Sequence, residues 1–297
     1  MSKRLVFVTG HEFGIRALEG ILASSPFLAG ELEVSLAIGL DASLSHRTVG
    51  YRNPGRLARE NGITHIDTVD GSLRSTADRI RVDEPDYLAV IGWSRLVEPR
   101  VLSIPRVGGT GMHPTCLPIG RGQAPLPWTI IKALRRTALT VFFLTPTADS
   151  GPVIAQYPME VRPAETATSL FYRFAQLHFQ AGMELAHQLT GPTVVAHPQD
   201  DRLATVWPRR RPMDGLLRPD MTKAEVERTV RALGGPYPDA FIELDGRRVA
   251  IKRAFLPESF DGRPARHTDP IPFECADGTI LLLPANNATD HVHYCHQ

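Results

Sequence analysis

Two apolar runs without a polar interruption, Leu5-Val6-Phe7-Val8 and Tyr87-Leu88-Ala89-Val90-Ile91, constrain this chain more than any other feature. A strand with one face in water alternates polar and apolar residues, whereas a strand covered on both faces does not. Such strands need helices on either side, and the sequence between them supplies helical patterns. The turn Thr9-Gly10-His11-Glu12-Phe13-Gly14 leads into Ala17, Leu18, Ile21 and Leu22 at helical spacing. A second strand is expected over 33–38, with helices over 53–61 and 73–82. The fold class this predicts is α/β, a doubly wound Rossmann-like N-terminal domain. Ligands of such sheets gather beyond the carboxyl ends of the strands, where Gly10, Gly92 and His113 fall.

The candidate chemistry is concentrated in 108–156. His113-Pro114 ends a short apolar approach, and a loop punctuated by glycine and proline follows. Then come a helix-length run over 125–133, a strand over 140–144 and the loop Ala148-Asp149-Ser150-Gly151. Asp149 stands 36 residues after His113, enough for loop, helix and strand to return both to one sheet edge. Taken singly, such a histidine is a core residue paired to a carbonyl and such an aspartate a turn residue. Gly10-x-x-x-Gly14 lacks the full dinucleotide pattern, although a helix start there suits an anion.

Farther along, 169–189 is a long amphipathic helix with Leu170, Phe174, Leu177, Ala181, Leu185 and Leu189 on one stripe. His178 and His187 lie on it and are expected to be surface or structural residues. Gly191-Pro192 ends it. Arg209-Arg210-Arg211 reads as a solvated linker segment. A helix over 223–233 precedes a hairpin turning at Asp245-Gly246 and a second hairpin over 273–283. The expected organisation is a catalytic domain over 1–192, a linker over 193–206, a C-terminal β-barrel domain over 207–285 and a disordered tail over 286–297. That tail carries His291, His293, Cys295 and His296, ligand types without a scaffold to fix their geometry, so no metal site is expected.

Of the 297 residues 42% are hydrophobic, so the chain can bury a substantial core. A net charge of +1 gives nothing that steers the molecule as a whole to nucleic acid or to an anionic membrane. No run approaches the length of a membrane span, and the first apolar run is too short for a signal segment. Three widely spread cysteines point to a reducing compartment, and a cytoplasmic location is expected.

The residues His113, Thr115, Leu117, Pro118, Arg121, Gly122, Ala124, Pro125, Trp128, Asp149, Gly151, Ile154 and Gln156 resemble the motif of the 10-formyltetrahydrofolate-dependent formyltransferases. Pro198-Gln199-Asp200, Pro236-Tyr237-Pro238 and Cys275-x-Asp277-Gly278 extend the resemblance to the methionyl-tRNA and aminoarabinose formyltransferases, whose C-terminal domain is an open β-barrel (OB-like). It covers roughly Leu5 to Pro284. In one departure, the asparagine of the family motif falls on Gly111.

The resemblance implies an enzyme that moves a formyl group from 10-formyltetrahydrofolate to an amine, with His113 and Asp149 catalytic and no metal. An amine attacking the formyl carbon creates an oxyanion and releases a proton. His113 is expected to steady that oxyanion and relay protons, with Asp149 orienting it. By the same resemblance, Arg95, Leu96, Val97, Leu117, Pro118, Gln123, Thr145, Pro146, Thr147, Ala148 and Asp149 border the reduced pterin and its formyl-carrying arm. Gly10, His11, Thr115 and Arg121 are expected on the acceptor's side. Trp93 and Trp128 are either stacking surfaces or core.

At Gly111 three readings stand: a water or backbone amide replaces the missing donor, the acceptor is nucleophilic enough to need less help, or catalysis is impaired. The expected acceptor is a small-molecule amine, first an amino sugar carried on a nucleotide. A hydroxylated amine or hydrazine of siderophore or antibiotic biosynthesis comes next. Methionyl-tRNA is disfavoured because a basic face is lacking. A non-catalytic folate-binding protein is the alternative from another class. Oligomeric state is open, a homodimer included.

Overall fold

The computed structural model describes residues 2–259 and 269–285. The His-rich tail lies outside the described residues. Thirteen strands occur in chain order among those described: β1 (Lys3–Val8), β2 (Leu32–Leu40), β3 (Thr64–Thr68), β4 (Tyr87–Ile91), β5 (Gly108–His113), β6 (Arg121–Gly122), β7 (Arg136–Phe143), β8 (Val153–Glu160), β9 (Val206–Trp207), β10 (Ala240–Leu244), β11 (Arg247–Phe255), β12 (Ile271–Cys275) and β13 (Gly278–Pro284). The helices are α1 (Glu12–Leu22), α2 (Ser25–Leu28), α3 (Gly55–Glu60), α4 (Ala77–Val82), α5 (Pro99–Leu102), α6 (Pro125–Ile131), α7 (Ala167–Thr190) and α8 (Lys223–Ala232).

The chain packs as two compact units. The first comprises Met1–Gly122, Arg136–Met159 and Tyr172–Trp207. The second comprises Gln123–Arg135, Glu160–Phe171 and the described residues of Pro208–Gln297.

The first unit is built on a seven-stranded sheet of order β3-β2-β1-β4-β5-β7-β8. β1 runs parallel to both β2 and β4, and β4 parallel to β5, so the two uninterrupted apolar runs sit side by side in the middle. On one face Val6, Val8, Leu36, Ile38, Leu88 and Val90 pack with Leu73, Ala77, Ile80 and Val101. Period-two alternation sends Leu5 and Phe7, both fully buried, to the other face.

Within this doubly wound frame β7 runs antiparallel to β5, with Gly111 opposite Phe142 and His113 opposite Thr140. A parallel return needs a crossover helix laid on the sheet. The only helix between these strands, α6, instead packs on α8 in the second unit, so the sheet is mixed.

In the second unit β10, β11, β13 and β12 form a separate antiparallel sheet. Leu217, Val226, Val230, Ile242, Ile251, Ile280 and Leu282 make its core. α8 begins at a reciprocal cap in which the Thr222 hydroxyl accepts from the Glu225 amide while the Glu225 carboxylate accepts from the Thr222 amide. Pairing of β10 with β12, which a closed barrel requires, does not occur among the described residues. Trp128 is half-buried in this unit: its indole N–H donates to Pro208 O at 2.8 Å, and Lys132 and Arg210 lie over the ring. Arg210 therefore packs against an aromatic face, where the sequence suggests only a solvated run.

Candidate active site

His113 is the last residue of β5 and only 8% exposed. Its Nε2 lies 2.9 Å from Gly120 O. A carbonyl can only accept, so the hydrogen is on Nε2. Nδ1 then faces Asp149, 3.7 Å from Oδ1. That separation is within ion-pair range and beyond a direct hydrogen bond. A neutral ring with this tautomer would aim a lone pair at a carboxylate, so the contact is favourable when a proton is held at Nδ1.

Asp149 sits in the loop between β7 and β8 with φ at +52°, in the left-handed region. Its Oδ2 accepts from the Gly122 amide at 2.9 Å. Glycine is required at 122 for two reasons: φ is +109°, and a Cβ would stand 2.4 Å from Trp207 O, the β9 carbonyl beside it. Gln199 Nε2 donates to Asp149 O at 2.9 Å and to Gly151 O at 2.8 Å. Arg121 donates to Gln199 Oε1 through Nε and Nη2, at 3.1 and 2.8 Å, and pairs with Asp201 at 2.7 Å.

The turn at Leu117-Pro118 is held from the sheet. Thr140 Oγ1 donates to Thr115 O at 2.6 Å and accepts from Leu117 N at 3.2 Å. Gln156 Nε2 donates to Leu117 O at 2.7 Å. Thr115 Oγ1 donates to Gly120 O, the carbonyl that also receives His113.

Gly10 and His11 follow β1, at the same carboxyl-terminal side of the sheet as His113 at the end of β5, because β1, β4 and β5 run parallel. His11 caps α1, its Nδ1 accepting from Phe13 N, and burial pushes its imidazole down to about 4. His178 is buried and structural: it stacks on Phe13 at 4.4 Å, its Nδ1 donates to Phe174 O, and burial pushes it down to about 3.

Arg95, Leu96 and Val97 follow β4, and Val97, Trp93 and Leu144 pack partly buried on one core cluster. The amides of 95–97 take no partner among the described residues, and the Arg95 guanidinium donates to Asp70 O. In the other loop Thr145 Oγ1 donates to Thr147 O. Main-chain donors are thus left free beside the partly buried side chains of Trp93, Val97 and Leu144. Gln123 falls in the second unit.

The Gly111 position is not open space. A Cβ there would stand 2.8 Å from Leu144 Cδ2 and 3.3 Å from Phe142 Cζ, so neighbouring side chains already fill it. In the sequence Gln199 stands out only within Pro198-Gln199-Asp200 of the expected linker; its partner Asp149 lies fifty residues away, a distance no local pattern reports. Among the described residues no group of histidine, cysteine, aspartate or glutamate side chains is arranged to hold a metal ion.

The family model described as "Formyl transferase" matches residues 53–185, a span that contains His113, Asp149 and the whole loop between them. The chain carries a formyl transferase domain. Formyl transfer is the reaction class that goes with it, and solved formyltransferases share its fold along nearly the whole chain. WlaRD, a sugar 3N-formyl transferase solved in the presence of dTDP and 5-N-formyl-THF, is similar at 14% identity and a TM-score of 0.68, over 96% of this chain and 98% of that one. An N-formyltransferase from Helicobacter canadensis, in complex with folinic acid and dTDP-3-aminofucose, is similar at 15% identity and a TM-score of 0.68, over 96% of this chain and 100% of the other. Methionyl-tRNA formyltransferase from Clostridium thermocellum follows at 20% identity and 0.60, over 88% and 96%. Between this formyl transferase domain and its solved relatives, identities this low speak to the fold.

Proposed function

We propose that this protein is an N-formyltransferase that moves a formyl group from 10-formyltetrahydrofolate to the amine of a small molecule, in first place an amino sugar carried on a nucleotide. The observation that carries the reading is the His113–Asp149 pair, the histidine buried and the aspartate half-buried, inside the formyl transferase domain. Two neighbours solved with folate derivatives, one of them with a nucleotide-linked amino sugar, support the choice of donor and acceptor. The donor supplies an activated formyl carbon. The free amides of 95–97 and the loop 145–149 would hold its pterin, with Leu117 and Pro118 toward the formyl-carrying arm.

His113 has little freedom in this site. Its Nε2 hydrogen is committed to Gly120 O, and its Nδ1 faces Asp149, so the pair can take up and pass on one proton without the ring turning. A charged imidazole so held offers positive potential to an oxyanion forming beside it. Gly10, His11 and Thr115 lie on the acceptor's side, and Arg121 serves it through the loop that it braces. We place the reaction in the cytoplasm, on the three widely spread cysteines of the sequence.

The test is release of tetrahydrofolate from 10-formyltetrahydrofolate, followed by absorbance, with three acceptor classes: nucleotide-linked amino sugars, hydroxylamines and hydrazines, and methionyl-tRNA. Turnover greatest with an amino sugar nucleotide is expected. Tight folate binding without turnover on any amine would show a binding protein instead.

A further inference from the structure

We propose that Gln199 is a positioning residue for the reaction, and that Arg121 acts through it. The inference rests on the formyl-transfer reading above, because its consequence is the placement of Asp149 against His113. Asp149 is an ordinary L-residue in the left-handed region, and neighbours must hold it there. Gln199 does so from fifty positions away, with both hydrogens of its amide nitrogen spent on the carbonyls of Asp149 and Gly151, at 2.9 and 2.8 Å.

The amide cannot be turned over. Its oxygen receives two hydrogens from the Arg121 guanidinium, and the reverse orientation would put donors against donors and an oxygen against two carbonyls. Arg121 is fixed in turn by Asp201, and its side chain is only 11% exposed. The next residue, Gly122, supplies the amide that holds Asp149 Oδ2. One two-residue strand therefore sets the aspartate twice, at its backbone through Gln199 and at its carboxylate directly.

The consequence is geometric. Nδ1 of His113 and Oδ1 of Asp149 are 3.7 Å apart, so a loop that relaxes by about 1 Å would take the carboxylate out of ion-pair range, a displacement that can cost on the order of a hundredfold in rate.

The experiment replaces Gln199→Met, which keeps the length and removes every polar contact, and follows kcat, both KM values and the exchange rate of the Gly122 amide. Expected are a fall in kcat of about 10- to 100-fold with both KM values within about threefold. The Gly122 amide should exchange about tenfold faster or more. In an Asp149→Asn background the same substitution should cost less than about twofold in kcat, because its effect runs through Asp149. Gln199→Glu, which keeps an acceptor for Arg121 and loses both donated hydrogens, makes the same comparison should the methionine variant not fold. Wild-type kcat and exchange in the variant, or an equal fold loss in the Asp149→Asn background, overturns the inference. If the wild-type protein transfers no formyl group while Gly122 exchange still accelerates, the positioning stands and the reaction reading falls.

Discussion

Placing asparagine at Gly111 tests how the centre of the sheet is packed. The added Cβ would sit 2.8 Å from Leu144 Cδ2 and 3.3 and 3.4 Å from two atoms of the Phe142 ring. The first contact is closer than side-chain carbons tolerate, but the atom met is a terminal methyl, which can swing aside. A leucine forced off its rotamer costs about 1 kcal/mol. Overpacking of a sheet interior costs about 1–3 kcal/mol in all, and the asparagine amide needs partners as well. Gly111→Asn is therefore expected to destabilise by about 1–3 kcal/mol. Leu144→Ala, at a half-buried position, should cost about 1–2 kcal/mol, below the range for fully buried leucines. In the double variant the alanine makes the room that the asparagine needs, so the combined loss should fall short of the sum by about 1 kcal/mol. Urea unfolding of the four proteins measures this. Additivity within about 0.5 kcal/mol would refute the claim that Leu144 fills the side-chain space at 111.

Two further outcomes follow from the same geometry. Gly122→Ala, which puts a methyl against Trp207 O at a left-handed φ, should destabilise by about 1–3 kcal/mol in urea unfolding, and tetrahydrofolate release should fall with it; an alanine variant as stable as wild type would contradict the geometry. His178 is held neutral by burial, down to about 3 against 6.5, while the unfolded chain takes up a proton below 6.5. Protons thus favour the unfolded chain: this contribution to stability is whole above pH 6.5, declines as pH falls and levels off below about 3. His11, pushed down to about 4, acts in the same direction. The steepest loss per histidine is about 1.4 kcal/mol per pH unit, and His178→Gln should flatten urea stability between pH 6.5 and 4, whereas an unchanged slope would mean His178 is not buried neutral.

The framework of the first unit was legible because burial on both faces leaves a plain mark. Leu5–Val8 and Tyr87–Ile91 are uninterrupted apolar runs, and helix α7 shows its stripe from Leu170 to Leu189. β5 is harder to read: Gly108, Gly109 and Gly111 give it little strand propensity, and it forms because β4 and β7 pair with it on both sides. β8 contains Pro158 and alternates half-buried with exposed positions, an edge pattern too weak to separate from a loop. Helix α4 starts at Ala77, short of the expected 73, because Ser72 and Asp70 tie the preceding segment into turns.

His113 and Asp149 were visible as residues of a motif, and their contact is a product of topology. Gln199, Thr140 and the Gly122 amide do their work through main-chain groups at long range, and composition records nothing of that. The direction of β7 could not be read at all, since it depends on α6 packing into the other unit and leaving the sheet without a crossover.

The pairing of one imidazole with one carboxylate is the centre of the account, and kcat for tetrahydrofolate release in His113→Gln, Asp149→Asn and the double variant tests it most directly. Each single change should lower kcat by about 10²–10³-fold, and the double variant should be about as slow as the slower single, as for two groups acting together. Single variants that turn over at the wild-type rate, or losses that multiply in the double variant, would contradict it.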